Sequence, residues 1–123
     1  MVEVSDLVGL TITEIEGGKP TDTTMVMVAS DGRRFKFYHD QDCCESVDIN
    51  EVIGDLSDLI GTPLLEAEES ISDERDFDQS PYDSFTWTFY RFATIKGSVT
   101  VRWLGASNGY YSERVDFILE NGA

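Results

Sequence analysis

The sequence predicts an α+β domain that is mainly β, with an antiparallel sheet and one or two short helices. Three observations predict this fold. Short segments alternate between apolar and polar residues, Gly and Pro turn signals separate them, and only two short stretches resemble helical turns. A length of 123 residues and a hydrophobic fraction of 41% fit a single domain, 1–123, with its own core.

The first part of the chain predicts a helical turn and three strands, at residues 5–8, 10–16, 24–29 and 34–38. Ser5 can cap the helical turn with its hydroxyl. Asp31 and Gly32 predict a hairpin turn between the second and third strands, because Gly supplies the positive φ that such turns need. Phe35 and Phe37 then lie on one face of the third strand.

The central part carries weaker signals. Residues 39–46 are polar and have no period, and residues 47–49 predict a short strand. A short helix over 55–60 is capped by Asp55 and ended by Gly61. Residues 63–71 predict a strand with Leu65 and Ala67 facing inward. Residues 72–83 are rich in acids, and we expect them to form an exposed loop.

The last forty or so residues predict a three-stranded antiparallel meander. Its strands are 84–95, 98–104 and 110–119, with turns at Lys96-Gly97 and Asn108-Gly109. From the alternation of apolar residues we expect a core of Leu10, Ile12, Val26, Val28, Phe35, Phe37, Leu56, Leu59, Ile60, Phe92, Val99, Val101, Trp103, Val115 and Phe117.

Charge is distributed unevenly along the chain. The formal net charge is −15, and residues 40–83 hold fifteen acids and a single base, whereas the remainder is nearly neutral. This predicts one strongly negative region of the surface. It also argues against direct binding to nucleic acid or to an anionic membrane, because Lys and Arg drive both kinds of contact.

The N-terminal residues lack the basic and apolar regions of a signal peptide, and no apolar run approaches the roughly 18 residues that span a bilayer. The only two cysteines, Cys43 and Cys44, are adjacent, and a disulfide between neighbours closes no useful loop. We therefore expect reduced cysteines and a cytoplasmic protein.

Several blocks carry a resemblance to a known family. They are 39–45, with Asp-Cys-Cys-Glu, 54–61, 87–97, and 107–113, with Ser-Asn-Gly-Tyr-Tyr. Over roughly 7–117 the chain resembles small uncharacterised proteins that are encoded mostly in bacteriophage and prophage genomes. The resemblance implies a phage accessory protein made in the cytoplasm of a bacterial host, and it implies no activity.

His39, Cys43 and Cys44 are weak candidates for a metal site, since His and Cys are zinc ligands. Adjacent cysteines seldom chelate one ion well, so we favour a packing role for one of them and expect no cofactor. A cysteine nucleophile is disfavoured because the neighbouring acids should raise the pKa of a thiol. An enzyme of any kind is the less favoured class, and a metal-dependent enzyme is the third hypothesis.

A turn at Lys96-Gly97 would place Arg91 directly opposite Arg102, with Trp87 and Phe89 on the same face. Two like charges across a strand pair need something negative between them. The partner is either a carboxylate such as Glu113 or a small anionic, nucleotide-like ligand stacked on the aromatic rings. Residues of this candidate ligand site are Arg91, Arg102, Trp87, Phe89, Asn108 and Tyr110.

The acidic region is the other candidate site. A surface with this much negative charge can imitate a nucleic-acid backbone or bind a basic groove. The leading hypothesis is therefore a non-enzymatic protein that binds and inhibits a host protein, such as a defence or nucleic-acid-processing enzyme. The residues expected to contact this partner are Asp73, Glu74, Asp76, Asp78 and Asp83. The sequence leaves the oligomeric state open.

Overall fold

The structure is a computed structural model, and it describes residues 2–75, 84–108 and 111–120. Eight strands and two 3₁₀ turns follow one another along the chain. In chain order they are the first 3₁₀ turn Val4–Leu7, β1 Ile12–Gly17, β2 Thr24–Ala29, β3 Arg34–Tyr38, β4 Ser46–Ile53, the second 3₁₀ turn Leu56–Leu59, β5 Glu66–Arg75, β6 Ser84–Thr94, β7 Gly97–Ser107 and β8 Asp116–Leu119.

The strands form two antiparallel sheets, which pack face to face around one core. The first sheet has the order β1-β2-β3-β8, and the second has the order β4-β7-β6-β5. Phe37 of the first sheet joins them, because its ring centroid lies 4.8 Å from that of Tyr90 and 5.9 Å from that of Phe92. The prediction of a mainly β, antiparallel fold is confirmed.

The two expected helices are only single 3₁₀ turns. Glu3, not Ser5, is the N-cap of the first turn, where the Asp6 carboxylate accepts the Glu3 N–H. Asp55 caps the second turn by accepting the N–H of Ser57, as expected. Each segment is too short to repay the cost of starting an α-helix.

The hairpin of β2 and β3 has the predicted strand bounds, and Gly32 in its turn has a φ of 92°. The face of β2 was predicted only in part, since Val26 is buried as expected but the residues that enter the core cluster lie on the other face. Met25 and Met27, directly opposite Phe37 and Phe35, enter the core, whereas Val28 stays partly exposed. Both faces of β2 are apolar, so alternation alone could not decide which one points inward.

The C-terminal meander is corrected in two respects. The turn between β6 and β7 consists of Ile95 and Lys96, since Thr94 pairs with Gly97. The last strand, β8, pairs with β3 in the other sheet and not with β7. The second sheet instead gains β4 and β5, and β5 continues through residues 72–75, where a loop was expected.

The edges of the two sheets differ in how they are covered. Residues 60–64 form backbone contacts with Ile12, the first residue of β1, and with the two residues before it, and Thr21 and Asp22 bond to Ile49 of β4. In the part of the chain that the structure describes, no such bonds reach the outer edges of β5 and β8. No helix among the described residues is long and apolar enough to cross a membrane.

Candidate partner-binding groove

A groove of about 860 Å³ lies between the edge strands β5 and β8, and the first 3₁₀ turn forms part of its wall. A second groove of about 530 Å³, along residues 39–45, shares Ser112 and Asp116 with it, so the two are adjacent. We call the combined surface the acidic groove. Its exposed or partly exposed carboxylates belong to Glu3, Asp40, Asp42, Glu68, Glu69 and Asp116.

The negative charge of the acidic groove is largely uncompensated. No salt bridge among the described residues involves any of these six carboxylates, and Arg114 is the only described Lys or Arg that lines the groove. On the outer face of the first sheet, by contrast, Arg34 binds both Glu16 and Glu120. Four of the six carboxylates, Asp40, Asp42, Glu68 and Glu69, belong to the acidic segment 40–83.

Apolar side chains contribute to the same lining. Ala67, Val4 and Val115 are buried beside the carboxylates, and Phe117 packs against the core from β8. The Glu69 carboxylate accepts a hydrogen bond of 2.8 Å from the Tyr90 hydroxyl, and this bond orients the carboxylate at the groove wall. Burial and this hydrogen bond raise the pKa of Tyr90, so it remains a neutral donor. The groove can thus hold a ligand that is both apolar and positively charged.

A buried pair, His39 and Glu45, organises residues 39–45. Their side chains are 4% and 0% exposed, and His39 Nε2 lies 2.7 Å from Glu45 Oε2. His39 Nδ1 lies 2.7 Å from the carbonyl oxygen of Arg114. Both partners of the ring are acceptors, so the imidazolium, which donates at both nitrogens, is the form that satisfies them.

The pKa values of this pair agree with that geometry. Burial alone would lower the pKa of His39, but the hydrogen bonds to Glu45 and to the Arg114 carbonyl outweigh it and raise the pKa. The pKa of Glu45 falls to about 2, because it accepts from His39 and, against the effect of burial, from the N–H groups of Cys43 and Asp42. Glu45 is therefore a fixed charge that holds the turn beside the acidic groove.

The structure joins Cys43 and Cys44 in a disulfide, so the expectation of two reduced cysteines is wrong here. That expectation was based on loop closure, and adjacent cysteines can pair without closing a larger loop. Both sulfur atoms are thereby used, and both ring nitrogens of His39 already have acceptors. The three weak metal candidates do not form a ligand set, and no metal-binding cluster occurs among the described residues.

A second buried carboxylate, Glu113, connects the segment between β7 and β8 to strands β6 and β7 by hydrogen bonds. It is 6% exposed and accepts hydrogen bonds from the hydroxyls of Thr86 at 2.8 Å, Ser84 at 3.2 Å and Ser107. The Glu113 carboxylate thus accepts hydrogen bonds from three hydroxyls on the second sheet. Glu113 was named as one possible carboxylate partner of Arg91 and Arg102, but its carboxylate accepts these hydroxyls instead.

The candidate ligand site on the outer face of the second sheet is only partly assembled. Arg102 pairs with Phe89 and Arg91 with Thr100, so the two arginines do not lie opposite each other. They still share a face with Trp87, and the guanidinium of Arg102 lies 4.9 Å from the Trp87 ring centroid. The register differs from the prediction because the turn begins one residue earlier.

Each arginine already has a carboxylate nearby. Arg102 Nη2 lies 2.7 Å from both Glu51 Oε2 and Asn50 Oδ1, and Arg91 Nε lies 3.6 Å from Glu66 Oε2. These ion pairs are the simpler of the two interpretations that the sequence left open. Asn108 is exposed at the end of β7, and Tyr110 lies outside the described residues.

The residues expected to bind a partner fall mostly beyond what the structure describes. Asp73 and Glu74 belong to β5, but their side chains are not described, and Asp76, Asp78 and Asp83 lie outside the described residues. The described groove carboxylates are other residues, at the N-cap of the first 3₁₀ turn, near the start of β5, in β8 and at positions 40 and 42. Sequence reasoning missed them because separate segments supply them.

Comparison with known proteins gives one match. A family model described as a domain of unknown function, DUF7448, matches residues 5–117. Neither the curated proteins nor the solved structures contain a significant match to the chain.

Proposed function

The chain belongs to the DUF7448 family of domains of unknown function, and we propose that it is a non-enzymatic protein-binding module. Its acidic groove binds a basic segment of a partner protein and blocks that segment from other interactions. The observation that carries this proposal is the groove itself, which combines six carboxylates that form no salt bridge among the described residues with apolar side chains between two strand edges. Opposite charge speeds association and selects the partner, while apolar contact adds affinity.

The class of partner is a further part of the proposal. A host protein that binds nucleic acid presents a basic surface, which a negative groove would match. The phage origin and the cytoplasmic location are supported by the sequence resemblance, whereas the inhibition of a host defence or nucleic-acid-processing enzyme is supported by the excess of negative charge. Reduced cysteines were one argument for a cytoplasmic location, and the Cys43–Cys44 disulfide removes that argument.

Calorimetric titration with a synthetic ten-residue peptide that alternates lysine and valine tests the groove. We expect binding that weakens about tenfold or more between roughly 0.05 and 0.5 M salt, because screening shortens the range of the attraction. The double variant Glu68→Gln/Asp42→Asn should weaken binding, since both side chains are exposed in the groove and neither carboxylate forms a hydrogen bond or salt bridge with another described residue.

The matched control is Glu14→Gln/Asp48→Asn. It removes the same amount of charge from the β1 edge strand and from the outer face of the second sheet, outside the groove. Equal losses in both double variants would mean that net charge, not the groove, attracts the peptide. Arg114→Gln, which removes the base from the groove, should tighten binding, and weaker binding would contradict the proposal.

A second candidate function is supported by the outer face of the second sheet. Phe85, Trp87 and Phe89 lie partly exposed along one side of β6, with Arg102 over the Trp87 ring. Such a surface can stack a nucleotide base. Titration with nucleotides, followed by Trp87 fluorescence, tests it. Binding that is unchanged in Arg102→Ala would rule out this site.

A further inference from the structure

We propose that the partner segment binds as an added β-strand along the outer edge of β5. This inference rests on the proposed function of the acidic groove and specifies the conformation of its ligand. Alternate residues of an edge strand direct their N–H and C=O groups away from the sheet, where another chain can pair with them. The β5 strand runs for ten residues, Glu66–Arg75, so it offers a longer edge than β8, Asp116–Leu119.

The treatment of the four edge strands supports this choice. Backbone hydrogen bonds from elsewhere in the chain reach Ile12, the first residue of β1, and Ile49 of β4. The two edges that lack such bonds in the described chain, β5 and β8, are the two that flank the acidic groove. The first 3₁₀ turn packs against β5 at the groove, yet no backbone hydrogen bond from it reaches the outer edge of β5 in the described chain. The strand edges without such bonds and the carboxylates without salt bridges therefore lie at the same place.

The alternation of side chains along β5 indicates which residue pattern the bound segment should have. Ala67 faces the core and is buried. Its neighbour Glu68 lies on the outer face of the sheet, where its register partner on β6 is Arg91. An added strand would continue this alternation, with one set of side chains over the apolar lining and the other toward the carboxylates. The fitting ligand is an extended segment that alternates Val or Ile with Lys or Arg.

Charged residues on an edge strand also have a protective role, because they discourage edge-to-edge aggregation. Protection alone requires only repulsion between copies of the chain. It does not require apolar residues beside the charges, such as Val115 and Phe117 in this groove. The two roles make different predictions about backbone hydrogen bonding, which can be measured directly.

The experiment uses the lysine–valine peptide with two patterns of N-methylation, one on the valine amides and the other on the lysine amides. Each pattern removes donors from one edge of an extended peptide and leaves its charge unchanged. Pairing with β5 uses only one edge, so we expect one pattern to weaken binding about tenfold or more and the other to have a much smaller effect. Hydrogen exchange should slow in β5, with no change in β4 as the internal control.

Equal losses with both patterns, no loss with either, or exchange that is unchanged in β5 would overturn strand addition. If the unmodified peptide still bound with salt dependence and still lost affinity in Glu68→Gln/Asp42→Asn, the proposed function would stand without it. A peptide that did not bind at all would overturn both. The two proposals therefore fail on different measurements.

Discussion

His39 Nε2 lies 2.7 Å from Glu45 Oε2, and the two side chains are almost fully buried beside the acidic groove. The pair links the end of β3 to the start of β4, and the bond from His39 to the Arg114 carbonyl adds the segment that precedes β8. One imidazolium ring thus connects three parts of the chain. The conformation of residues 39–45, which line one end of the groove, depends on it.

His39→Gln should destabilise the protein by about 3 kcal/mol, because removing one partner leaves the buried charge of Glu45 without its cation. Urea unfolding at neutral pH measures the loss. Glu14→Gln, at an exposed position of β1, is the control and should change the free energy of unfolding by less than about 0.5 kcal/mol. Similar small effects in both variants would show that the N–H donors around Glu45 suffice.

The contribution of this pair should depend on pH in both directions. The folded-state pKa of His39 is raised above its ordinary 6.5, so its contribution is complete below that value and is lost as pH rises through the raised pKa. The pKa of Glu45 is lowered from 4.5 to about 2, so its contribution is complete above 4.5 and is lost as pH falls.

The difference in unfolding free energy between the parent protein and His39→Gln should therefore be largest between the two ordinary values. Urea unfolding at a series of pH values measures this difference, in which the repulsion among the other carboxylates largely cancels. A difference that stays constant from acidic to alkaline pH would contradict the assignment of an imidazolium.

Glu113→Gln should destabilise the protein by about 1–2 kcal/mol, since an amide nitrogen cannot accept a hydroxyl proton as a carboxylate oxygen does. The bond from Thr86 allows a double-mutant cycle with Thr86→Val. We expect a coupling of about 1 kcal/mol, because residues in contact do not act independently. Strictly additive effects would show that the hydrogen bond between Thr86 and Glu113 contributes nothing to stability.

Gly105→Ala should cost about 2–3 kcal/mol, because an added Cβ would lie 2.3 Å from the carbonyl oxygen of Glu113 and 2.7 Å from its Cβ. The comparison is Gly9→Ala, where nothing lies within 4 Å and only the φ of +91° is unfavourable. That change should cost about 1 kcal/mol. Thermal or urea unfolding ranks the two, and the reverse order would contradict the close packing of residues 111–115 on β7.

Local signals predicted the hairpins well. The strands β2 and β3 and the turn at Gly32 were predicted with the bounds observed, and the long strands β6 and β7 were also identified. An Asp-Gly turn and alternation of apolar residues are local properties, so neighbouring residues suffice to specify them. The turn between β6 and β7 was displaced by one residue, which was enough to change the pairing of Arg102.

The pairing of distant strands was not predicted. The aromatic pattern of the last strand resembles that of a meander, yet β8 joins β3, where Phe117 lies opposite Phe37. Likewise, the burial of Glu45 and Glu113 was not predicted. Their burial follows from donors on other segments, including His39 for the one and Thr86 for the other.

The sequence by itself determined the β class, the local hairpins, the excess of negative charge and the family. Tertiary structure alone decided which sheet each distant strand joined, which face of β2 is buried and which carboxylates line the groove. The physical reason is range. Backbone preference and alternation act between near neighbours, whereas sheet pairing and burial depend on surfaces that meet only after the chain has folded.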